Sequence, residues 1–278
     1  MSEKVLIIGS GIAGLLAAER IKSSGYADDI KIFERNSVVE PPPTAAAFYC
    51  HEFITQRITP HSFVVKWEIE GDKKSASELY AKKVYGPDFK DKVSICEKEA
   101  KGWAIDTEYL VNKSKDMILT NMNLTGIDLQ KRSVTFNDSD HFYYDTLIST
   151  IPMPVFLMIS GMHVPKFNSR TIYVKRDVAA SQTMNVMFLT YYPNLNFECY
   201  RSTEWAGNIY FEYMTNRTEE SAGAVPVYPG KIWAQPEAKN IREEFKAKGV
   251  YFQGRYARWV RKYFVSDVWN SVLEEIYG

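Results

Sequence analysis

The N-terminal part of the chain alternates apolar runs with glycine-rich and polar breaks. Residues 4–8 (KVLII) form a short apolar run rich in β-branched residues, which predicts a strand buried on both faces. The sequence GSGIAG follows at once, and residues 15–21 continue as a good helix former. Residues 29–33 (DIKIF) predict a second strand, which ends at Glu34. The pattern therefore predicts a β-α-β unit with a glycine turn between its first strand and its helix.

The glycine turn has the composition of a dinucleotide-binding loop. Gly9 permits a tight turn out of the strand, Gly11 lets a pyrophosphate approach the backbone, and Gly14 lets the helix lie close to the sheet. Free N–H groups and the helix dipole favour phosphate at the start of the helix. The predicted cofactor-binding residues of this loop are Gly9, Ser10, Gly11, Ile12, Ala13 and Gly14.

Glu34 has the position of a ribose-binding acid. Nineteen residues lie between Gly14 and Glu34, close to the spacing of such an acid in a dinucleotide-binding unit. A carboxylate there accepts hydrogen bonds from an adenosine ribose and repels a 2′-phosphate, which disfavours NADP. FAD and NAD both remain open at this point. The alternative is a glycine turn in another kind of α/β protein, with Glu34 as a solvated strand end.

Further strands and loops are predicted along the chain. The strands are residues 63–69, 117–119, 123–127, 147–148 and 250–252, with a hairpin that joins 133–136 to 141–144. Pro41, Pro42 and Pro43 predict a rigid loop, and Thr44 could cap a short helix over residues 45–47. Residues 235–248 predict a charged helix, and Ser266 or Asp267 could cap a final helix that runs to Glu275.

The middle third is rich in β-formers and carries the candidate substrate contacts. Residues 171–174, 184–191, 198–201 and 208–213 predict a meander of antiparallel strands. Arg201 could clamp a carboxylate or phosphate, and Glu212 could pair with it or hold an amine, with Tyr200 and Tyr210 beside them. Cross-strand pairing on an exposed sheet face explains these residues equally well. His51 could transfer a proton, although a histidine packed at a loop–helix junction is the commoner case.

Composition bounds the remaining possibilities. The 278 residues suffice for one large domain or two interleaved ones, with 45% hydrophobic and 24% charged residues. Because the formal net charge is zero, non-specific electrostatic binding of nucleic acid by the whole protein is not indicated. Three scattered cysteines show no metal-ligand spacing and predict reduced thiols in a cytosolic protein. No apolar run is long enough for a signal peptide or a membrane span.

Several basic residues could still contact the backbone of DNA. Lysines and arginines could meet a phosphate backbone in spite of the neutral chain, although each could equally be a solvated surface residue. These residues are Lys82, Lys83, Arg258, Arg261 and Lys262.

Three separated pieces resemble one protein family. GSGIAG with Glu34-Arg35, the central YDTLISTIP, and the C-terminal strand followed by GRYARW and SDVW occur in the order seen in a flavoprotein superfamily. This superfamily comprises amine oxidases, protoporphyrinogen oxidase and UDP-galactopyranose mutase. The resemblance implies that FAD is the cofactor, and it adds further cofactor-binding residues: Arg35, Thr150, Pro152, Gly254, Arg255 and Asp267. The Gly-Gly pair that usually follows Glu-Arg in the superfamily is replaced here by VVEPPP.

The resemblance also implies an architecture and a function. The expected fold is α/β, with a Rossmann-like FAD-binding domain and an interleaved antiparallel-sheet substrate domain that covers the flavin. The FAD-binding parts are 1–60, 115–152 and 236–278; residues 61–114 are an insertion partly on the substrate side, and 153–235 form the substrate domain. The implied activity is an oxidoreductase or lyase acting beside an amine or amino-acid nitrogen. Compact phage-encoded members extend this to an aminoacyl-modified thymine in DNA. The alternatives are a UDP-galactopyranose mutase-like isomerase and a non-catalytic FAD-binding protein.

Overall fold

The computed structural model describes residues 3–39, 49–180 and 182–278. Within these ranges the elements, in chain order, are β1 (Lys4–Ile8), α1 (Ile12–Ser24), β2 (Asp29–Phe33), β3 (Tyr49–Cys50), β4 (His61–Ile69), α2 (Ala76–Tyr85), β5 (Lys98–Ala104), α3 (Thr107–Ser114), a 3-10 turn (Lys115–Met117), β6 (Ile118–Leu119), β7 (Leu124–Asp128), β8 (Ser133–Phe136), β9 (Asp140–Tyr143), β10 (Thr146–Ser149), α4 (Met153–Ile159), β11 (Ser169–Val178), β12 (Val186–Tyr191), β13 (Cys199–Trp205), β14 (Asn208–Tyr213), β15 (Val225–Ile232), α5 (Glu237–Lys246), β16 (Val250–Phe252), α6 (Arg255–Arg258) and α7 (Val265–Tyr277).

The chain divides into two compact units. The first takes the described residues of 1–42, 106–168 and 232–278, and the second takes those of 43–105 and 169–231. These boundaries differ from the predicted ones in several places. Residues 49–60 belong to the second unit because β3 pairs with β5, and residues 106–114 belong to the first because α3 packs on α1. Residues 153–168 also lie in the first unit, where α4 joins its core.

A parallel sheet forms the centre of the first unit. Its strand order is β16-β10-β1-β2-β6, and every neighbouring pair is parallel. The apolar run of β1 is buried from Val5 to Ile8, as expected for a strand with helices on both faces. The predicted α/β class is confirmed, and so is a sheet built from both ends of the chain and its centre. The strand order turns back at β1, which places a topological switch point between β1 and β10.

A second, three-stranded sheet completes the first unit. β7, β8 and β9 pair antiparallel, which confirms the predicted hairpin. Phe33 from β2 stacks on Phe136 from β8 with ring centroids 4.2 Å apart. Phe156 from α4 and Phe252 from β16 meet edge to face at 4.9 Å. These aromatic contacts bury the apolar faces of both sheets in one core.

The second unit is built on an eight-stranded mixed sheet with the order β15-β11-β14-β13-β12-β4-β5-β3. The predicted meander holds for β12, β13 and β14, which pair antiparallel. It is wrong for β11, which pairs with β14 instead of β12. The free edge of β12 is taken by β4, and these two strands run parallel.

Several elements differ from the predictions. β15 contains Pro226 and Pro229, which the sequence marks as loop residues, and it forms the edge of its sheet. β5 begins with charged, exposed residues and was predicted as neither strand nor helix. The last helix begins after Phe264, so its N-cap lies earlier than Ser266 or Asp267. The predicted proline loop and short helix of residues 41–47 lie outside the described residues. No helix in the described ranges is long and apolar enough to cross a membrane.

Candidate functional site

The candidate cofactor segments meet at the carboxyl edge of the parallel sheet. Parallel strands bring the residues that follow β1, β2, β10 and β16 to the same edge. The first residues beyond these strands are Gly9, Glu34, Thr150 and Gln253. Ligands of open α/β sheets bind at such an edge, next to the switch point.

The three glycines of the first turn differ in what surrounds them. Gly9 has φ +97° and donates its N–H to the Phe33 carbonyl at 2.9 Å. A Cβ on Gly14 would lie 2.0 Å from the Gly9 carbonyl oxygen, so glycine there is required by packing. Gly11 has an ordinary φ of −64° and is exposed, and a Cβ on it would meet no atom of the described residues within 4 Å. Open space therefore faces the start of α1 at Gly11.

Glu34 is held in place at the end of β2. Its Oε2 accepts a hydrogen bond from the Ser10 hydroxyl at 2.6 Å and another from the Ser10 N–H at 3.2 Å. Its Oε1 accepts from the Asn36 N–H at 2.9 Å. The neighbouring Arg35 is exposed. The predicted ribose acid thus has a fixed orientation.

The loops after β1 and β10 contact each other at the switch point. The Thr150 hydroxyl donates to the Ile8 carbonyl at 2.7 Å. A Cβ on Gly9 would lie 2.4 Å from the Thr150 hydroxyl oxygen. Pro152 follows and starts α4, with its carbonyl accepting the Phe156 N–H at 3.0 Å. Thr150 therefore fixes the first glycine turn through its hydroxyl.

The C-terminal glycine turn reaches the same region. Gly254 has φ +92°, and a Cβ on it would lie 3.0 Å from the Ala13 Cβ in the first turn of α1. Arg255 opens α6, is partly exposed, and has no hydrogen-bond or ion-pair partner for its side chain among the described residues. The structure thus brings together the four predicted cofactor segments that follow β1, β2, β10 and β16. Arg255 adds a positive charge to the last of them.

Asp267 and Arg258 are engaged within the protein. The Asp267 carboxylate accepts the Phe264 N–H and caps α7. The Arg258 guanidinium donates to both carboxylate oxygens of Glu275, at 2.5 and 2.6 Å, and to the Phe252 carbonyl at 3.2 Å. This network supports the strand end just before Gly254.

The second unit joins the candidate substrate residues into a buried ion cluster. Arg201 on β13 lies directly opposite Glu212 on β14, and its Nε donates to Glu212 Oε1 at 3.1 Å. Its Nη2 donates to the same oxygen, and the Tyr200 hydroxyl donates to Oε2. The Lys231 ammonium lies 3.9 Å from Oε2. The Glu212 side chain is 3% exposed, so the cross-strand pairing is buried and not on an exposed face as considered from the sequence.

Electrostatics keep Glu212 ionised in this buried position. Burial alone would raise the pKa of its carboxyl group, but the charges of Arg201 and Lys231 outweigh burial and lower the pKa below its ordinary value. Burial raises the pKa of the Tyr200 hydroxyl, and the nearby Glu212 charge raises it further. Tyr200 therefore stays neutral and donates its proton to the carboxylate.

The remaining candidate side chains have separate surroundings. Tyr200 and Tyr210 contribute their rings to an apolar core cluster with Tyr80. His51 is exposed, lies just after β3, and stacks on Trp67 with ring centroids 6.0 Å apart. Burial of part of its ring and the charge of Lys98 lower the pKa of His51, which favours the neutral imidazole.

Lys83 has a structural role that the sequence did not predict. Its ammonium donates to the carbonyls of Tyr192, Asn194 and Cys199, each at 2.8 Å. It therefore fixes the connection between β12 and β13, which rules it out as the predicted phosphate contact. The neighbouring Lys82 is exposed.

We expect Lys83→Met to destabilise the protein by about 1–3 kcal/mol, because three carbonyls of the β12–β13 connection lose a charged donor. Urea unfolding followed by circular dichroism measures this change. Lys82→Met, a matched change on the same helix, should alter the stability by less than about 0.5 kcal/mol. Equal effects of the two substitutions would contradict the structural role of Lys83.

Comparisons with known proteins support the fold. The chain is similar to a crystal structure of reduced UDP-galactopyranose mutase, with a TM-score of 0.67 and 13% identity over 99% of this chain and 93% of the other. It is also similar to a putative protoporphyrinogen oxidase from Exiguobacterium sp., with a TM-score of 0.62 and 11% identity over 99% and 98% of the two chains. A fatty acid isomerase from P. acnes gives a TM-score of 0.60 and 12% identity, over 99% of each chain. No protein-family model and no curated protein matches the sequence.

These similarities confirm the predicted fold, a Rossmann-like parallel sheet with an interleaved second unit. The chain has the fold of UDP-galactopyranose mutase and of the putative protoporphyrinogen oxidase, two of the proteins that the sequence motifs resemble.

Proposed function

We propose that this chain is an FAD-dependent oxidoreductase. The observation that carries the proposal is the carboxyl edge of the parallel sheet, where Gly11 leaves open space before α1 and Glu34 is fixed at the end of β2. N–H groups at the start of α1 would bind the pyrophosphate, and Glu34 would accept a hydrogen bond from the adenosine ribose. Arg255 would add a charge-assisted hydrogen bond to a phosphate.

The third loop favours FAD over NAD. Gly254 lies next to the first turn of α1, where a Cβ on it would be 3.0 Å from the Ala13 Cβ, so the chain after β16 also borders the proposed phosphate site. The resemblance to the flavoprotein superfamily includes this late glycine–arginine turn, which an NAD-binding unit does not need. The fold similarities to UDP-galactopyranose mutase and to the putative protoporphyrinogen oxidase support the same choice.

We propose further that the substrate carries an amino group and loses a hydride from the carbon next to the nitrogen. FAD, when bound, supplies the hydride acceptor, and the protein supplies position and electrostatics. The similarity to amine oxidases in the three sequence motifs supports this substrate class.

Anaerobic bleaching of the flavin tests the substrate class. Amines, amino acids and DNA with aminoacyl-modified thymine are mixed in turn with the oxidised protein under argon. Bleaching by one class of amine, with no bleaching by the matching N-acylated compound, is the expected result. No bleaching by any amine, at concentrations up to the millimolar range, would contradict the amine proposal.

A redox-neutral isomerase is the second candidate. It is favoured by the match of this chain to nearly the full length of both a mutase and an isomerase. Turnover of UDP-galactopyranose by the chemically reduced protein, without reaction toward amines, would replace the first candidate by this one. A flavin that reacts with neither kind of substrate would favour a non-catalytic FAD-binding protein.

We expect NADPH to be a poor reductant of the bound flavin. The sequence holds one glycine-rich turn of the dinucleotide type, and Glu34 would repel a 2′-phosphate at that turn. Stopped-flow mixing with micromolar NADPH should therefore give no fast stoichiometric bleaching, whereas dithionite should reduce the flavin fully. Fast reduction by NADPH would show a second nucleotide site and contradict this expectation.

A further inference from the structure

Ser10 is placed to act on the cofactor through Glu34. It lies between two glycines of the turn, is 3% exposed, and directs both its hydroxyl and its N–H to Glu34 Oε2. The hydroxyl is the shorter of the two contacts, at 2.6 Å, a distance typical of a hydrogen bond to an ionised carboxylate. A serine hydroxyl has one proton to donate, so this bond uses its donor capacity in full.

The backbone around Glu34 is also fixed. Its N–H donates to the Leu119 carbonyl at 2.8 Å, and its carbonyl accepts the Met122 N–H at 2.9 Å. The main chain is therefore anchored to β6 and the residues after it, and Ser10 and Asn36 hold the carboxylate. A free glutamate side chain loses up to about 2 kcal/mol of rotamer entropy when it is immobilised. The Glu34 side chain loses this entropy when the protein folds, so its immobilisation does not weaken ligand binding.

The hydrogen-bonding capacity of the carboxylate is divided between its two oxygens. A carboxylate has about four acceptor sites. The Ser10 hydroxyl and N–H take both sites of Oε2, and the Asn36 N–H takes one site of Oε1. One site remains, on Oε1. The next donor to reach Glu34 must therefore approach that oxygen.

We propose that Ser10 is a positioning residue for the cofactor's adenosine ribose: it fixes Glu34 so that Oε1 alone accepts one ribose hydroxyl. The inference rests on the proposed binding of FAD. Ser10 itself makes no contact with the ribose. The Ser10 hydroxyl holds the Glu34 carboxylate in one orientation, ready to accept a hydrogen bond. Removing that hydroxyl should therefore change FAD binding only through its effect on Glu34.

A double-mutant cycle tests this coupling. The dissociation constant of FAD is measured for the wild-type apoprotein, Ser10→Ala, Glu34→Gln and the double variant. We expect Ser10→Ala to weaken binding about tenfold, the size of one lost hydrogen bond to a charged group. In the Glu34→Gln background the same change should weaken binding less than about twofold, because the ionised acceptor is already gone. The thermal midpoints of all variants are measured alongside.

Ser114→Ala is the matched control, since Ser114 is a buried serine whose hydroxyl has no partner among the described residues. It should leave the dissociation constant unchanged. Equal weakening by Ser10→Ala in both backgrounds, or unchanged binding in Ser10→Ala, would overturn the inference while FAD binding by the wild type stands. A wild-type protein that does not bind FAD would overturn the proposed function itself.

Discussion

Replacing Gly11 by leucine is expected to abolish flavin binding while leaving the fold intact. The φ of Gly11 is −64°, which any residue adopts, and a Cβ there would come within 4 Å of no atom in the part of the chain that the structure describes. The side chain would instead fill the space before α1 that the pyrophosphate is proposed to occupy. We expect a loss of FAD affinity of at least about a hundredfold, since the backbone N–H groups at the helix start would be covered.

Gly14→Ala is the contrasting variant in the same turn. Its Cβ would lie 2.0 Å from the Gly9 carbonyl oxygen, so the helix must move away from the strand. This variant should unfold at a clearly lower temperature, whereas Gly11→Leu should keep the wild-type melting temperature in the absence of FAD. Flavin fluorescence titration and thermal unfolding of both variants separate the two effects. Full FAD binding by Gly11→Leu would remove the proposed site.

The second large effect is expected from Glu212→Gln in the second unit. Glutamine cannot compensate the charges of Arg201 and Lys231, which would then remain together in a buried position. Removing one partner of a buried ion pair costs about 3–5 kcal/mol of folding stability. Urea unfolding measures the loss, and Glu220→Gln at an exposed position should change stability by less than about 0.5 kcal/mol.

The pH dependence of this effect follows from the lowered pKa of Glu212. A carboxyl group whose pKa is lower in the folded state stabilises the protein fully above its unfolded pKa, which is near 4.5. That contribution is lost as pH falls through the folded pKa. The gap in stability between wild type and Glu212→Gln should therefore be constant at neutral pH and narrow below about pH 4.5. A gap that widened in acid would contradict an ionised, paired Glu212.

The sequence predicted the first unit better than the second for a physical reason. β1 is buried from Val5 to Ile8 and forms a continuous apolar run, β10 is buried along its whole length, and the glycine turn is a local motif. The edge strand β15 tolerates Pro226 and Pro229 because an edge needs fewer of its N–H groups, so its sequence resembles a loop. Such strands are specified by their partners and not by their own periodicity.

The candidate sites likewise contain some residues that the sequence identifies and some contacts that only the folded chain determines. Glu34 could be identified from its spacing to the glycines, but its bond to Ser10 depends on how the turn folds back toward β2. The Arg201–Glu212 pair depends on the register of β13 with β14, which contains an irregularity between Cys199 and Arg201. Without that register, residues 201 and 212 cannot be placed opposite each other. The role of Lys83 depends on carbonyls more than a hundred residues away.

Identification of the nucleotide that the purified protein carries tests the central proposal most directly. The protein is purified without added cofactor, incubated with a mixture of FAD, FMN, NAD and NADP, freed of unbound nucleotide, and denatured. Chromatography and mass spectrometry of the supernatant then identify what is released. The proposal predicts a yellow protein that releases FAD at one molecule per chain. Release of NAD without flavin, or of no nucleotide at all, would contradict it.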